Sequence, residues 1–452
     1  MAVNPADSPI FGTLYGSDAM RAIWDERQFL QRMLDVEAAL SRVQARLGLI
    51  PAAAAAAITE AAKVENLQTI ELADSVRNVG YPVVGLVRGL SRAAGPDAGR
   101  WTHWGATTQD IMDTALVLQV RDGLALVRGE LCAIAAALAA QADRHRATVM
   151  AGRTHLQHAL PTVFGLKCAI WLMPLPDHVT RLDQLRPRVE RVELGGAAGT
   201  LASLGDQGLA VLEGLAAELG LAAPPAPWHV ARDGLAETVG LLGLICGSLA
   251  KMATDIILLA QTEIAEVSEP YVAGRGSSST MPQKRNPIAS EYVLAAQRGV
   301  QALVPLMQNA MADDHERGTG PWQAELLALP QAFVLAGGAL LHARTIAEGL
   351  VVDAGRMRKN LDATHGGIMA EATMMGLAPT LGREAAHHAV KHATDRALDT
   401  GGSLADALQQ DAGVIAHMGA GDIERLADPA GYLGAATAFI DRVLARAQAI
   451  TE

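Results

Sequence analysis

Apolar residues recur at intervals of three and four along much of the chain, which is the spacing of a helix with buried faces. One proline-free stretch covers 110–147, where Ile111, Ala115 and Leu118 begin the pattern. Another covers 237–267 and is apolar on nearly every side. A helix of ~30 residues that is apolar almost all round needs neighbours on every face. The pattern therefore predicts long helices at the centre of a bundle.

Further helices are predicted at 288–312, 323–350 and 383–399. Pro305 and Pro330 are expected to kink the first two of them. Strand signals are scarce, because alternation of β-branched and polar residues never persists. The sequence therefore predicts a mainly α protein, with a long-helix central bundle and smaller N- and C-terminal helical domains.

Turn-rich segments and shifts in composition mark the expected domain boundaries. Residues 89–105 form a Gly-rich link into the first long helix, and the chain becomes richer in Met, His and Gly after Val351. The predicted domains are an N-terminal helical domain, a central bundle and a C-terminal helical domain, at 1–104, 105–350 and 351–452.

The composition excludes several classes of protein. Of 452 residues, 50% are hydrophobic and only 19% are charged, which excludes a disordered chain and implies large buried faces, some of them between subunits. The net charge of −11 has the wrong sign for a nucleic-acid or anionic-membrane surface. An anionic small molecule would therefore need cations concentrated at its site.

The cysteines and the N-terminal residues indicate a compartment. Cys132, Cys168 and Cys246 are far apart in apolar stretches, so reduced core thiols are expected rather than disulfides or a zinc site. The first twenty residues lack a basic region followed by an apolar one, and apolar runs such as 131–140 are shorter than the ~18–20 residues that span a bilayer. We expect a soluble cytoplasmic protein.

Three polar islands interrupt the apolar helices. The first, WTHWGATTQD at 101–110, ends where the first long helix begins. Thr107, Thr108 and Asp110 can cap the backbone amides there, and the same helix end can also bind an anion. Spacing alone favours the cap.

The second island, GRTHLQHALP at 152–161, is interpreted as a loop closed by Pro161. His155 and His158 could bind a metal, but no nearby carboxylate or thiol completes a ligand set. A histidine acting as acid or base is the more natural chemistry, since imidazole titrates near neutral pH. A hydrogen-bonded loop histidine is the alternative.

The third island, AGRGSSSTMPQKRNPIASE at 273–291, combines a Gly/Ser segment with Lys284 and Asn286. Such a segment is either a surface linker or a loop that closes over a substrate carboxylate, and the fixed cationic cluster favours the loop. A further polar stretch at 313–325 contains Arg317 and suits substrate recognition.

Together the islands resemble the three signature regions of the fumarase/aspartase superfamily, and GSSSTMPQKRNP is the most specific of them. The resemblance covers about 10–450. It implies a mainly helical homotetramer whose sites are shared by three subunits, and a small polycarboxylate substrate with no cofactor or metal. GGAAGTLASLG, PWHVARDGLAE and DDHERGTGPWQAE resemble 3-carboxy-cis,cis-muconate cycloisomerases, whereas HWGATTQD and KRNPIASE are equally similar to adenylosuccinate lyases.

The resemblance also assigns roles. Ser278 would be the base, with Ser277 as the alternative register, and Lys284 would stabilise the carbanion. His155 and Glu291 would together handle the leaving-group proton. The residues implied to bind substrate are His103, Thr107, Thr108, Thr154, Gln157, Ser279, Met281, Asn286 and Arg317.

The chain departs from the cycloisomerase pattern at two positions. In bacterial cycloisomerases an aromatic tends to replace the histidine and a small residue the glutamate, but this chain keeps His155 and Glu291. A retained acid is what expulsion of an amine or alkoxide requires. We therefore expect a lyase that releases a fumarate-type product, with a cycloisomerase as the alternative and a catalytically silent structural protein as a remote one.

Overall fold

The computed structural model describes residues 4–270, 281 and 283–451, and it confirms a mainly α protein. The helices of ten or more residues in that part of the chain are Glu26–Arg46, Ala52–Ala61, Thr69–Val79, Val83–Ala94, Thr108–Arg144, Leu175–Val189, Gly208–Leu219, Asp233–Leu259, Ile288–Asn309, Pro321–Gly349, Ala370–Leu381, Arg383–Thr400 and Ala436–Thr451. Shorter helices span Gly12–Tyr15, Asp18–Ile23, Pro96–Gly99, Phe164–Leu172, Ala354–Leu361, Leu404–Gln409, Ala412–Ile415 and Ala420–Ala427. The strands are Val149–Thr154, Gln157–Val163, Val267–Ser268 and Val351–Val352.

The helix predicted at 237–267 differs most from its expected bounds, because it spans Asp233–Leu259. Beyond its end the chain turns through Ala265, whose φ is 49°. The turn places Glu266 in the interior, where it is 0% exposed, and leads into the strand Val267–Ser268. Between the helix end and this turn the residues at 261–263 are exposed, so the apolar pattern overran the helix. The other helices named from the pattern begin and end within three residues of their expected bounds.

The chain divides into two compact units, each built from three segments. Unit 1 contains Met1–Leu131, His178–Gly247 and Tyr292–Leu341, and unit 2 contains Cys132–Asp177, Ser248–Glu291 and His342–Glu452. The core of unit 1 includes Leu34, Leu86 and Leu215, each from a different helix. Two apolar clusters of unit 2 are centred on Ile368 and Val390. The division into 1–104, 105–350 and 351–452 stays a prediction.

The interpretation of 152–161 as a loop is wrong. Val149–Thr154 and Gln157–Val163 pair antiparallel, so these residues lie in a β-hairpin. Its alternation is hard to recognise because the register shifts between Ala151 and Arg153, and Pro161 lies inside the second strand. A bulge and a proline both disguise a strand pattern.

Three long helices keep apolar surface that the single chain leaves uncovered. Thr108–Arg144, Asp233–Leu259 and Pro321–Gly349 are long and apolar enough to cross a membrane by length and composition, and 39%, 50% and 67% of their most apolar windows are buried. The expectation that no segment reaches that length is therefore wrong. It counted uninterrupted apolar runs, whereas a helix remains strongly apolar on average with a few polar residues in it.

Candidate functional site

His155 occupies the tip of the β-hairpin, which we call the His155 hairpin. Thr154 pairs with Gln157, so His155 and Leu156 alone form the turn. Their φ angles are 51° and 64°, as in the two-residue turns that suit the twist of a hairpin. Positive φ angles are costly for most residues; glycine and a few small polar residues are the exceptions. Both side chains are exposed, so a strained, protruding histidine is a candidate for function.

A buried ion pair anchors this hairpin. Arg153 donates from both terminal nitrogens to the two oxygens of Glu266, over 2.9 and 2.7 Å. Glu266 is 0% exposed, and its Oε1 also accepts a hydrogen bond of 2.8 Å from Asn360. The two-pronged geometry fixes the strand only two residues before His155.

The segment after residue 280 places further predicted residues in unit 2. Ser277, Ser278 and Ser279 lie outside the described residues. Lys284 and Met281 are exposed, and the Lys284 amide donates to the Met281 carbonyl over 3.1 Å. Glu291 is exposed in the first turn of the Ile288–Asn309 helix.

Asn286 lines a cavity of about 300 Å³, which is also lined by Glu269, Arg285 and Asp353. Glu269 is held by the start of the Ile288–Asn309 helix, where its carboxylate accepts hydrogen bonds from the Ala289 and Ser290 amides, over 3.0 and 2.7 Å. A carboxylate at this helix end satisfies amides that lack a partner within the helix. Asn286 and Arg285 lie at the wall of a cavity that is lined by both charged and apolar residues.

In unit 1, Asp110 organises the first polar island. It lies in the first turn of the Thr108–Arg144 helix, and its Oδ2 accepts a hydrogen bond of 2.9 Å from the Thr107 amide. The expected cap is therefore present, made by the carboxylate. Asp110 also accepts hydrogen bonds from the Gly195 and Gly196 amides, over 2.9 and 3.0 Å. The carboxylate thus connects the helix start to the glycine-rich segment.

A glycine is needed at position 195 because a Cβ there would lie 2.8 Å from both the His229 ring and the Pro227 side chain. The His229 Nε2 approaches Asp110 to 2.8 Å and Glu193 to 3.4 Å. Burial, followed by the nearby carboxylates, raises the pKa of Glu193 to about 9. Glu193 is therefore neutral at neutral pH.

Asp110, Glu193 and His229 offer ligand atoms within 4.8 Å of one another, a spacing that a metal ion could use. However, both Asp110 oxygens already accept hydrogen bonds from backbone amides. His229 and Asp110 are also hydrogen-bonded directly to each other. Hydrogen bonding accounts for this cluster, and a metal would have to displace it.

Next to this cluster, Arg232 lies between two carboxylates, and together these groups form what we call the buried network. Arg232 is 0% exposed and donates to both oxygens of Asp113, over 2.6 and 3.0 Å, and to both of Glu325. The Trp322 indole and the Gln109 amide each donate to Asp113 over 3.0 Å. Burial lowers the pKa of Arg232, but the two carboxylates outweigh it and raise that pKa. Burial raises the pKa of Glu325 to about 7, although Arg232 opposes this.

Arg317, predicted to bind substrate, uses its guanidinium to hold neighbouring backbone. Nη1 donates to Gln109 over 3.2 Å, and Nη2 donates to the carbonyls of Gly196 and Ala197, over 3.4 and 3.0 Å. These contacts attach the segment that precedes the Pro321–Gly349 helix to the glycine-rich segment. Arg317 therefore positions its loop in this structure.

His103 is held from behind by Glu37. Its Nδ1 lies 2.6 Å from Glu37 Oε1, and its backbone amide donates to Oε2 over 3.1 Å. Burial lowers the pKa of His103, but the Glu37 carboxylate outweighs it, and the pKa is raised overall. The His103 side chain keeps 22% exposure.

The predicted site residues fall into two sets. Unit 1 carries His103, Thr107, Thr108 and Arg317, and unit 2 carries Thr154, His155, Gln157, Met281, Lys284, Asn286 and Glu291. Sequence reasoning missed the residues that support them, namely Glu37, Glu193, His229, Arg232, Glu266 and Glu325. A charged residue at a helical core position was the available signal, as with Glu37 between Val36 and Ala38.

Comparison with known proteins places this chain in a family. A family model described as "Lyase" matches residues 15–302, and one described as "Adenylosuccinate lyase C-terminus" matches residues 366–443. The chain belongs to the fumarase/aspartase superfamily. The resemblance drawn from the three polar islands is thereby confirmed.

Full-length relatives carry both of the activities considered above. A 3-carboxy-cis,cis-muconate cycloisomerase from Pseudomonas aeruginosa is 47% identical, covering 100% of this chain and 98% of its own. A nitrosuccinate lyase from Streptomyces davaonensis is 42% identical over 97% of this chain and 94% of its own. The crystal structure of the 3-carboxy-cis,cis-muconate lactonizing enzyme from Pseudomonas putida superposes with a TM-score of 0.94 at 43% identity, covering 98% and 100% of the two chains. The long apolar helices are part of this superfamily fold.

Proposed function

We propose that this superfamily member is a lyase that eliminates an amine, thiol or alcohol from a succinate-type polycarboxylate and releases a fumarate-type product. The observation that carries the proposal is His155, retained with Glu291 and placed at a strained, exposed hairpin tip that a buried ion pair anchors. A carbon–heteroatom bond needs a proton on its leaving group, and this histidine can supply it.

The chemistry divides between two proton transfers. Ser278, ionised to its alkoxide, takes the proton from the carbon next to a carboxylate and becomes a hydroxyl, which leaves a carbanion whose charge spreads into that carboxylate. Lys284 and Asn286 stabilise this charge. The bond to the heteroatom on the neighbouring carbon then breaks, its electrons leave with the heteroatom, and His155 protonates it. Glu291, as a carboxylate, pairs with the protonated His155 before this transfer, and afterwards His155 takes up a proton from solvent while Ser278 returns its proton to solvent.

The functional unit we propose is a cytoplasmic homotetramer whose sites combine residues from three subunits. Two observations support it. The Thr108–Arg144 helix keeps most of its apolar window uncovered in one chain. His155, Lys284 and Glu291 are all exposed on that chain, whereas a catalytic site must exclude water.

The test is a panel of succinates that carry an amino, thioether or hydroxyl group on the second carbon. The fumarate-type product is followed by ultraviolet absorbance and chromatography. Turnover of at least one member is expected, with Ser278→Ala lowering it ~10³-fold and His155→Asn ~10²–10⁴-fold. His388→Asn is the matched control, because His388 is exposed on a C-terminal helix, and it should leave turnover unchanged.

A second candidate is favoured by the 47% identical cycloisomerase. Lactonisation of 3-carboxy-cis,cis-muconate uses an internal carboxylate as nucleophile and needs no acid for a departing amine. The parent enzyme should therefore consume this diene slowly or not at all. Rapid loss of its absorbance, with no elimination from any succinate, would replace the lyase proposal by the cycloisomerase.

A further inference from the structure

Glu37 is a buried acidic residue on a mostly apolar helix face. It belongs to the Glu26–Arg46 helix, is 1% exposed, and lies in sequence among Leu34, Val36 and Leu40, which are all buried. A buried carboxylate is costly unless hydrogen bonds and charge compensate it. Its place in the core therefore calls for a partner.

Among the described residues, His103 alone donates hydrogen bonds to this carboxylate. Oε2 accepts from the His103 amide over 3.1 Å, and Oε1 lies 2.6 Å from the ring Nδ1. Because the Glu37 carboxylate binds both the amide and the ring of His103, it fixes the backbone of that residue as well as its ring. This clamp explains how His103 is kept at a φ of 58°, which is costly for a side chain of this size.

The clamp also decides which ring nitrogen faces outward. With Nδ1–H donating to Glu37, Nε2 is the nitrogen left for another partner. The ring keeps 22% exposure and lies only a few residues before the Thr108–Arg144 helix, whose positive end favours anions. A protonated Nε2 there can donate to a carboxylate.

We propose that Glu37 is a positioning residue, which holds His103 so that Nε2–H is presented to a substrate carboxylate. The substrate carboxylate rests on the proposed function, whereas the clamp rests on the contacts described above. The charged groups that act on the ring are Glu37, from the Glu26–Arg46 helix, and Asp110, from the Thr108–Arg144 helix. Both raise the pKa of His103 and so favour the protonated ring against the opposing effect of burial.

The first test needs no substrate. Imidazole signals of histidine-labelled tetramer are titrated by NMR in the parent and in Glu37→Gln, with His103→Gln assigning the signal. Because glutamine keeps the shape of the Glu37 side chain but removes its charge, the pKa of His103 should fall by about 1 unit or more. Ser41→Ala, a buried change on the same helix that removes a hydroxyl donating to the Ala38 carbonyl, should leave it unchanged.

The second test measures the role toward substrate. At a pH above the pKa of His103 in both enzymes, Glu37→Gln should raise KM up to about tenfold for each unit by which that pKa falls, while kcat changes less, because the protonated fraction of the ring falls in the same ratio. The increase should disappear as the pH is lowered and the ring becomes protonated in both enzymes. In a His103→Gln background the Glu37 change should have no further effect on KM.

The outcomes separate the two proposals. An unchanged His103 titration in Glu37→Gln overturns the clamp, even if the enzyme is an active lyase. A shifted titration with an unchanged KM overturns the role toward substrate. A shifted titration in a protein that turns over no succinate supports the clamp and refutes the proposed function. If Glu37→Gln does not fold, Glu37→Asp, which keeps the charge but shortens the reach, is titrated in its place and should also lower the pKa.

Discussion

Removal of the Arg232 charge should destabilise unit 1 far more than removal of an equally well-paired surface arginine. Arg232 is 0% exposed and donates to both oxygens of two buried carboxylates. In Arg232→Met, Asp113 keeps the Trp322 and Gln109 donors, but Glu325 loses both of its Arg232 bonds. Breaking a buried ion pair from one side costs ~3–5 kcal/mol of unfolding free energy.

Without Arg232, the Glu325 carboxylate can avoid part of this cost by binding a proton. That route costs ~1.4 kcal/mol for each pH unit above the ordinary pKa of the group, and the parent already bears part of this cost, because the pKa of its Glu325 is raised to about 7. The folded variant then holds a proton that the unfolded chain lacks, so its stability falls as the pH rises. Above pH 7 the parent Glu325 loses its proton while the variant keeps it, so the loss should be larger at pH 8 than at pH 6, by about 1 kcal/mol.

The assay is urea unfolding followed by tryptophan fluorescence at fixed protein concentration, at both pH values. Trp228 and Trp322 report on the network directly, since the Arg232 guanidinium lies 4.8 Å from the Trp228 ring. The matched control is Arg188→Met, which breaks a pair with Glu237 whose side chains are 45% and 44% exposed. Its loss should stay below ~1 kcal/mol. Equal losses of unfolding free energy in the two variants would refute the reasoning, and so would a loss in Arg232→Met that does not change with pH.

Three further predictions concern the other features. Glu193→Gln should become more stable relative to the parent as the pH rises from 6 to 8, because the parent must keep Glu193 protonated up to its pKa of about 9. The difference in melting temperature between the two proteins measures this effect, and a difference that stays constant with pH contradicts it. Leu156→Gly should leave the melting temperature unchanged or raise it slightly, because relief of the positive φ (~1–2 kcal/mol) offsets the extra entropy of glycine (~0.5–1 kcal/mol) and the side chain is 73% exposed. Leu156→Val should lower it. Mixed tetramers of Ser278→Ala and His155→Asn subunits should regain partial activity, and complete inactivity would argue against shared sites.

The helices were predictable because their signal is local and repeated. The apolar spacing of the Thr108–Arg144 helix depends on its own residues, so the sequence alone predicts it. The His155 hairpin was not predictable in that way. Its strands carry a bulge and Pro161, and its turn uses His155 and Leu156 where a glycine or asparagine would have signalled the hairpin.

The candidate site was predictable where a motif carries its chemistry and unpredictable where distant residues support it. His155 and Glu291 could be named from the islands that contain them. The supports of the site depend on contacts across long sequence separations, such as Arg153 with Glu266 and Glu37 with His103. In both pairs, the sequence around one residue contains no pattern that identifies its distant partner.

The buried network has a consequence for how this site can be altered by evolution or by design. Its members come from the start of the Thr108–Arg144 helix, from the chain around Arg232, and from the start of the Pro321–Gly349 helix, yet they share one balance of charge and protons. A segment transplanted from a relative with a different substrate arrives without its counter-charges unless the other segments are exchanged with it. New specificity should therefore be accessible by moving all three segments as one module, whereas single-segment chimaeras should misfold.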